Sequence, residues 1–355
     1  MSQHALLMKQ LQEICTDLQI HDADSFTFRS DRPHDVVSTP EPAPDGGATG
    51  TQSGAAVPAL TPLTKHLADE LYRKCYVRHY PLVGDQDSDT VRDNKLTELF
   101  QQANHSKDGW DPGWRIYQTC PDGRVFVQKG ERSCAALPGA YSTYKWPGVK
   151  PQSGDLVSVR LFADSTDAQV GFFIAFGRTL SDQFDEIALV RFYFNIKAHA
   201  AVSLMGALTT LLNRYLIPFR FKSLVDAGAY TRADAAVLYV ARRYYHLVAP
   251  LVIELSGTLQ DGLRDGTPLF SKTLVPGIGM ADDPATAESF GQHRCRLVAE
   301  AMVAAWEAGT QAVEARLDAI QQRFTTAGIQ LALPYLNPKS INIFDQPIFL
   351  QENQW

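Results

Sequence analysis

The stretch LVRFYFNIKAHAAVSLMGALTTLLNRYLIPFRFKSL at residues 189–224 decides the fold, and the segment that it opens runs on to Asp234. Residues 189–196 alternate strongly apolar and polar-capable side chains, which predicts a strand. Residues 198–214 have the periodicity of a helix, and residues 217–224 predict a second strand. A strand, a helix and a strand in this order are expected to bring side chains from two strands to one place.

Polar side chains interrupt this otherwise apolar segment at a few positions, namely Arg191, Asn195, Lys222 and Arg232. Burying an unpaired charge costs several kcal/mol, so cations in apolar surroundings need a partner. We therefore expect an anion to bind beside them.

The composition is that of an ordinary globular protein. The chain has 355 residues, of which 45% are hydrophobic and 20% charged, and its formal net charge is −6. This length fits one large domain or two modest ones. The negative charge argues against a nonspecific nucleic-acid binder, which would carry a basic excess. No apolar run approaches the ~18 residues that a membrane span needs, and the N-terminus lacks a secretory signal.

The cysteines and histidines indicate neither disulfides nor a metal. The five cysteines are odd in number and scattered, without a CxxC pair, which is typical of reduced thiols in the cytoplasm. The histidines show no HExxH spacing. We expect a cytoplasmic protein with no metal and no organic cofactor.

Changes in composition divide the chain into four parts. Residues 1–28 predict an amphipathic helix, and residues 29–61, rich in proline and glycine, predict a disordered linker. Residues 62–150 predict a subdomain of helices and a hairpin, and residues 151–345 the principal domain. The expected class is α+β: a mixed, largely antiparallel sheet flanked by helices, with a helical N-terminal part and a flexible linker.

Two later segments carry glycine and helix-start signals. The glycines of residues 275–281 predict a loop whose backbone comes close to another group. Ser289 predicts the N-cap of a helix that reaches about residue 308, which places His293 and Arg294 in its first turns. A helix N-terminus with an adjacent arginine is a favourable anion site.

Five ordered blocks of sequence together resemble a known family. They are RFYFN (191–195), IPFRFKSL (217–224), YTRADAAVLY (230–239), PLFSKTLVPGIGMADDP (268–284) and ESFGQHRC (288–295). They resemble the HopA class of bacterial type III effectors, and more closely the non-effector relatives of that class in bacteria, cyanobacteria especially. The resemblance is strong over residues 154–325, and members of this family are similar to phosphothreonine lyases and to the lyase domains of lanthipeptide synthetases.

The resemblance implies a carbon–oxygen lyase that eliminates phosphate from phosphoserine or phosphothreonine and leaves a dehydro amino acid. Its partners would be a phosphorylated peptide or protein and a separate kinase, as in ribosomal peptide modification, with no nucleic acid and no membrane. The alternative is a non-catalytic effector-like or scaffold module that binds a phosphorylated or acidic partner, which leaves open a secreted effector.

Elimination needs a base for the Cα proton, an acid for the departing phosphate and cations that hold it. A lysine serves as the base when burial and neighbouring cations favour its neutral form, and the match to the family's lysine assigns this role to Lys222. His293 is the first candidate for the acid and Tyr193 the second, because the strand at 191–195 lacks the histidine of the better-known lyases.

The remaining candidates bind substrate. The cations that match the family's positions and are expected to clamp the phosphate are Arg191, Arg232, Lys272 and Arg294. Asn195 and Tyr230 are expected to orient the peptide or the phosphate. The alternative for each cation taken singly is an ion pair with a nearby carboxylate, for which the sequence offers Asp226, Asp234 and Glu288.

Overall fold

A computed structural model describes the chain over residues 2–29, 34–35, 60–78, 96–146, 148–181, 183–284, 286 and 288–345. Most of the predicted linker, residues 29–61, lies outside these residues. The four-part division of the chain stays a prediction.

Within the described residues the strands form three sheets, and all of their pairings are antiparallel. The first sheet contains β1 to β3, which are Leu18–Ile20, Ser25–Phe28 and His34–Asp35. A five-stranded sheet contains β4 to β8, which are Gly109–Thr119, Val125–Lys129, Arg132–Ala136, Tyr141–Thr143 and Leu156–Leu161. A seven-stranded sheet contains β9 to β15, which are Asp164–Ser165, Phe172–Phe176, Leu189–Phe194, Phe219–Leu224, Ala236–Ala241, Lys272–Val275 and Ile278–Asp282.

The helices of the described residues are α1 to α8. Their bounds are Gln3–Asp17, Pro62–Leu71, Leu96–Ala103, Gln183–Ile187, Ala198–Arg214, Tyr245–Thr258, Phe290–Glu307 and Val313–Thr326. A π-helical turn, Tyr72–Tyr76, continues directly from α2. The predicted α+β class, with a helical N-terminal region and antiparallel sheets, is confirmed.

The seven-stranded sheet, in the order β14-β15-β11-β13-β12-β10-β9, has apolar residues on both sides. On one side, Phe192 stacks on Tyr245 of α6 at 6.2 Å between ring centroids. On the other side, Tyr193 meets Tyr76 of the π-helical turn and Phe290 of α7. Helices therefore cover both faces of β11, and successive side chains of this strand point to opposite helices because the side-chain period of a strand is two.

A glycine lets α7 approach the π-helical turn closely. A Cβ built on Gly291 would lie 2.4 Å from the ring of Tyr76, well inside contact distance. Ser289 caps this helix with a full capping box, its hydroxyl accepting from the amide of Gln292. The N-cap predicted at Ser289 is therefore confirmed.

The strand–helix–strand segment at residues 189–224 folds as expected. Its strands are β11 and β12, and its helix is α5, Ala198–Arg214, with the predicted bounds. The prediction of a loop at residues 275–281 was wrong, because β14 and β15 form a hairpin there. Gly277 turns this hairpin with a φ of +78°, and a Cβ on it would lie 2.5 Å from the carbonyl oxygen of Arg264. The close backbone approach is real, but a turn between strands makes it.

Candidate functional site

A row of cations and one aromatic ring crosses the seven-stranded sheet. The register places Arg191 of β11 opposite Tyr239 of β13, and Tyr239 opposite Arg220 of β12. Directly opposed residues in antiparallel strands project from the same face. Strand pairing thus brings together the neighbours Arg191 and Tyr239, which are 48 positions apart in sequence.

Three cations surround the ring of Tyr239. The Cζ atoms of Arg191 and Arg220 lie 5.1 and 5.3 Å from its centroid, and Nζ of Lys222 lies 5.8 Å away. We call Arg191, Arg220, Lys222 and Tyr239 the cationic face. Each distance is within the ~6 Å over which a ring attracts a cation. The ring stabilises positive charges that would otherwise repel one another and leaves them grouped on one side of the sheet.

Lys222 lies in the next row of the same face. It is opposite Val237, which in turn is opposite Tyr193, so the predicted base and the second candidate acid share a row. Lys222 is 8% exposed, and its Nζ lies 4.6 Å from the centroid of the Phe172 ring. Its Nζ also lies 3.4 Å from Oε1 of Gln169, at the long limit of a hydrogen bond.

Tyr193 is a buried phenol. It is 2% exposed, and its hydroxyl lies near that of Tyr76 without a hydrogen bond of normal geometry. Burial raises the pKa of Tyr193, and the positive charge of Arg191 opposes that rise. The hydroxyl therefore keeps its proton at neutral pH.

Carboxylates accompany two cations of the face in different ways. Asp283 accepts from Nε of Arg191 at 2.5 Å and is also paired with its Nη2. Burial lowers the pKa of Arg191, but Asp283 and the phenol groups of Tyr239, Tyr193 and Tyr76 together raise this pKa above its usual value. Glu186 stands 3.9 Å from Nη2 of Arg220, beyond hydrogen-bond distance. Arg191 is thus held in place, whereas the ionic neighbour of Arg220 among the described residues, Glu186, is loose.

Arg232 is paired away from the face. Its Nε donates to Oδ1 of Asp234 at 2.8 Å, and its Nη2 donates to the hydroxyl of Tyr72 at 3.1 Å. This is the local ion pair that the sequence offered as an alternative. Tyr72 stacks on Tyr76, and Tyr76 in turn contacts Tyr193. Arg232 is therefore separated from Tyr193 by these two aromatic rings.

The structure places Lys272 on the other side of the sheet. It is opposite Met280, which is opposite Phe192, and so it belongs to the side that faces α6. Its ammonium pairs with Asp345 and lies 5.3 Å from the ring centroid of Tyr335. There it lines a groove between the start of α1 and residues 332–335. Because successive side chains of a strand alternate between its faces, Lys272 and Arg191 lie on opposite sides of the sheet. This corrects the expectation that they surround one phosphate.

Arg294 and His293 lie on α7 and form a separate cluster. Arg294 is 0% exposed and donates to the carbonyl oxygens of Pro334 and Leu336, each at 2.8 Å. Burial lowers the pKa of Arg294 to about 10. These bonds tie the segment after α8 to α7, so the expected phosphate contact of Arg294 is replaced by a structural one.

His293 is neutral at physiological pH. Its Nδ1 lies 2.7 Å from Nη1 of Arg294. Burial, together with the positive charges of Arg294, Arg296 and Arg323, lowers the pKa of His293 to about 3. An imidazole in this state has no imidazolium proton to donate at pH 7, and the cations that act on it belong to α7 and α8.

Asn195 and Tyr230 make buried contacts with the backbone. Nδ2 of Asn195 donates to the carbonyl oxygens of Asp265 and Gly266. The hydroxyl of Tyr230 donates to the backbone carbonyl oxygen of Leu224 at 2.6 Å. Tyr230 also lies 2.9 Å from Oγ of Ser223, on the side of the sheet away from Lys222. Both residues hold loops at the end of the sheet.

Arg220 and Tyr239 were not among the predicted site residues. Both stand inside the sequence blocks that carried the family resemblance. Arg220 could have been found from the alternation of side chains along a strand. It stands two residues before Lys222, so the two side chains share a face. Tyr239 shows no such local signal, since only the pairing of β13 with β11 and β12 places it between the arginines.

Two further features of the described residues concern metals and membranes. No group of three or more His, Cys, Asp or Glu side chains is placed there to hold a metal ion. No helix of that part of the chain has both the length and the apolar character that crossing a bilayer requires.

The seven-stranded sheet and its helices define an α+β domain with a group of cationic side chains on one face of the sheet. Residues 163–336 match the model of the HopA1 effector protein family, and this segment of the chain belongs to that family. The match includes every strand of the cationic face and ends beside the carbonyl of Leu336 that Arg294 binds.

Two solved structures are similar to the chain. They are effector proteins from Pseudomonas syringae pv. tomato strain DC3000 and from Pseudomonas syringae pv. syringae strain 61. Each is 15% identical in sequence, with TM-scores of 0.42 and 0.41. The alignments cover 78% of this chain and 94% and 96% of the two effectors. No curated protein sequence matches the chain.

Proposed function

We propose that the HopA1-family domain is a cofactor-free lyase that eliminates phosphate from a phosphoserine or phosphothreonine of a peptide or protein. The product is dehydroalanine or dehydrobutyrine, and a separate kinase supplies the phosphate, as in the modification of ribosomal peptides. The observation that carries the proposal is the convergence of Arg191, Arg220 and Lys222 on the ring of Tyr239.

The proposed reaction balances without a metal or cofactor. Nζ of neutral Lys222 accepts the Cα proton, the electron pair forms the Cα=Cβ bond, and the bond between Cβ and the phosphate oxygen breaks. Lys222 is 8% exposed and shares the ring of Tyr239 with two guanidiniums, and these are surroundings in which a lysine can serve as a base. Arg191 holds the departing phosphate through charge-assisted hydrogen bonds.

The departing oxygen also needs a proton when the ester enters as a dianion. The hydroxyl of Tyr193 is our candidate donor, because it stays protonated and its residue shares a row with Lys222. His293 has no part in this step of the proposal, since its pKa of about 3 leaves it neutral. The proposal also requires a phosphorylated partner as the substrate and a kinase that phosphorylates it.

A second candidate function is binding without turnover. It is favoured by the absence of a protonated imidazole on the cationic face, since His293 sits among arginines of α7 and α8. In this case the domain is an effector-like or scaffold module that docks a phosphorylated or acidic partner through Arg191, Arg220 and Lys222.

Lys222 variants separate the two functions. The wild type is incubated with a phosphothreonine peptide, and mass spectrometry follows the loss of one equivalent of phosphoric acid. Lys222→Ala should reduce the rate of elimination by about 10³-fold or more, since it removes the general base. Lys222→Arg places a permanently charged guanidinium at this position, which can bind a phosphate but cannot act as a base. It should bind the peptide and fail to convert it.

The matched control is Lys107→Ala, which removes an exposed lysine remote from β12 in sequence. Its rate should equal that of the wild type. Elimination by Lys222→Ala at the wild-type rate would remove Lys222 as the base. Tight binding of the phosphopeptide by the wild type, with no product after long incubation, would establish the second function instead.

A further inference from the structure

We propose that Arg220 is the mobile arm of a two-arginine clamp that selects a phosphate over a carboxylate, with Arg191 as its fixed arm. The inference rests on the proposed function and deepens it, because it specifies the substrate as phosphorylated instead of merely acidic. Arg220 would then act as a specificity-determining residue beside the base.

The register of the sheet places the two arms symmetrically. Arg191 and Arg220 occupy the strands on either side of β13, each directly opposite Tyr239. Their guanidinium carbons lie at nearly the same distance from its ring centroid, 5.1 and 5.3 Å. Both guanidiniums therefore lie beside the same ring, one on each side. An anion bound above this ring would meet hydrogen-bond donors from two directions.

The arms differ in how firmly they are held. Asp283 takes Nε and Nη2 of Arg191, and the side chain of this arginine is only 13% exposed. Because a guanidinium has five N–H donors, an arginine held along one edge can still donate from its other edge. The side chain of Arg220 is 35% exposed, with Glu186 at 3.9 Å. A loose, exposed pair of this kind is weak, so an incoming dianion can replace Glu186.

A phosphate and a carboxylate differ in charge and in the number of oxygens that accept hydrogen bonds. A phosphomonoester presents three acceptor oxygens and about −1.5 to −2 charges near pH 7, whereas a carboxylate presents two oxygens and one charge. One arginine satisfies a carboxylate in bidentate fashion. The two guanidiniums of Arg191 and Arg220 match the larger charge and the third oxygen of a phosphate. Against a carboxylate the second guanidinium gains little, so Arg220 should contribute to phosphate affinity and not to the affinity for acidic peptides.

The test measures binding of two peptides that differ only in phosphothreonine or aspartate at one position. Fluorescence anisotropy, in a Lys222→Ala background that does not convert the phosphopeptide, gives the Kd of each peptide for the wild type at positions 186 and 220, for Arg220→Ala, for Arg220→Lys and for Glu186→Gln. Arg220→Ala should weaken phosphopeptide binding about 10- to 100-fold and change the Kd of the aspartate peptide less than about 3-fold. Arg220→Lys should be intermediate, and Glu186→Gln should bind the phosphopeptide as tightly as the wild type or more tightly.

The matched control is Arg214→Ala, which removes an exposed arginine that lies 6.0 Å from the ring of Tyr215. It should bind both peptides as the wild type does. If the wild type binds the phosphopeptide and Arg220→Ala binds it equally well, the clamp is refuted while the proposed function stands. If the wild type shows no preference for the phosphopeptide over the aspartate peptide, the proposed function falls and the clamp with it. Circular dichroism of each variant verifies that the fold is intact.

Discussion

The arginines of α7 and those of the cationic face show two different uses of the same side chain. Arg294 is fully buried, and carbonyl oxygens of Pro334 and Leu336 accept its hydrogen bonds. Arg191 and Arg220 instead lie over the ring of Tyr239, with carboxylates beside them. A guanidinium whose partners are backbone carbonyls fixes the chain. In our proposal, a guanidinium that shares an aromatic ring with other cations offers its charge to a ligand.

The largest effect expected from this comparison is on stability. Arg294→Met should lower the free energy of unfolding by roughly 3 kcal/mol, because it leaves two buried carbonyl groups without donors. Urea denaturation measures this change. Arg220→Ala should cost less than about 1 kcal/mol in the same assay, since its ion pair is loose and partly exposed. Equal losses for the two variants would break the distinction between structural and ligand-binding arginines.

A smaller effect, confined to acid, is expected from His293. Its folded-state pKa of about 3 lies below the ~6.5 of an unfolded histidine, so the unfolded chain binds more protons between these values. Stability from this residue is therefore present above pH ~6.5 and is lost as the pH falls towards 3. His293→Gln should reduce the loss of unfolding free energy between pH 7 and 4.5 by roughly 2 kcal/mol.

The control for this variant is His246→Gln, since His246 is exposed on α6. Its urea midpoints at the two pH values should follow those of the wild type. If His293→Gln keeps the full acid sensitivity of the wild type, His293 is not the neutral, structural imidazole described above. It would then return as a candidate acid.

Local pattern was sufficient to predict several elements of the principal domain, but it missed the hairpin of β14 and β15. The strand at 189–196 and the helix at 198–214 follow from periodicities of two and 3.6 residues, which need no knowledge of partners. The capping box at Ser289 is equally local. Arg191 and Lys222 were chosen because charge on an apolar strand needs an explanation, and the structure places both on the cationic face.

The rest of the site depends on strand order, which the sequence does not show. Lys272 resembles Arg191 in sequence, as a cation at the edge of an apolar run. The pairing through Met280 and Phe192 nevertheless sends it to the opposite side of the sheet. Tyr239 joins the site for the same reason, through its two strand partners. Strand parity is set by long-range pairing, so a shift of one residue would exchange these roles.

The most direct test of the central claim is a crystal structure of the Lys222→Ala variant bound to a phosphothreonine peptide, since this variant should hold its substrate unconverted. We predict the phosphate above the ring of Tyr239, within hydrogen-bond distance of both Arg191 and Arg220. A phosphate in the groove beside Lys272, or bound without contact to either arginine, would contradict the account.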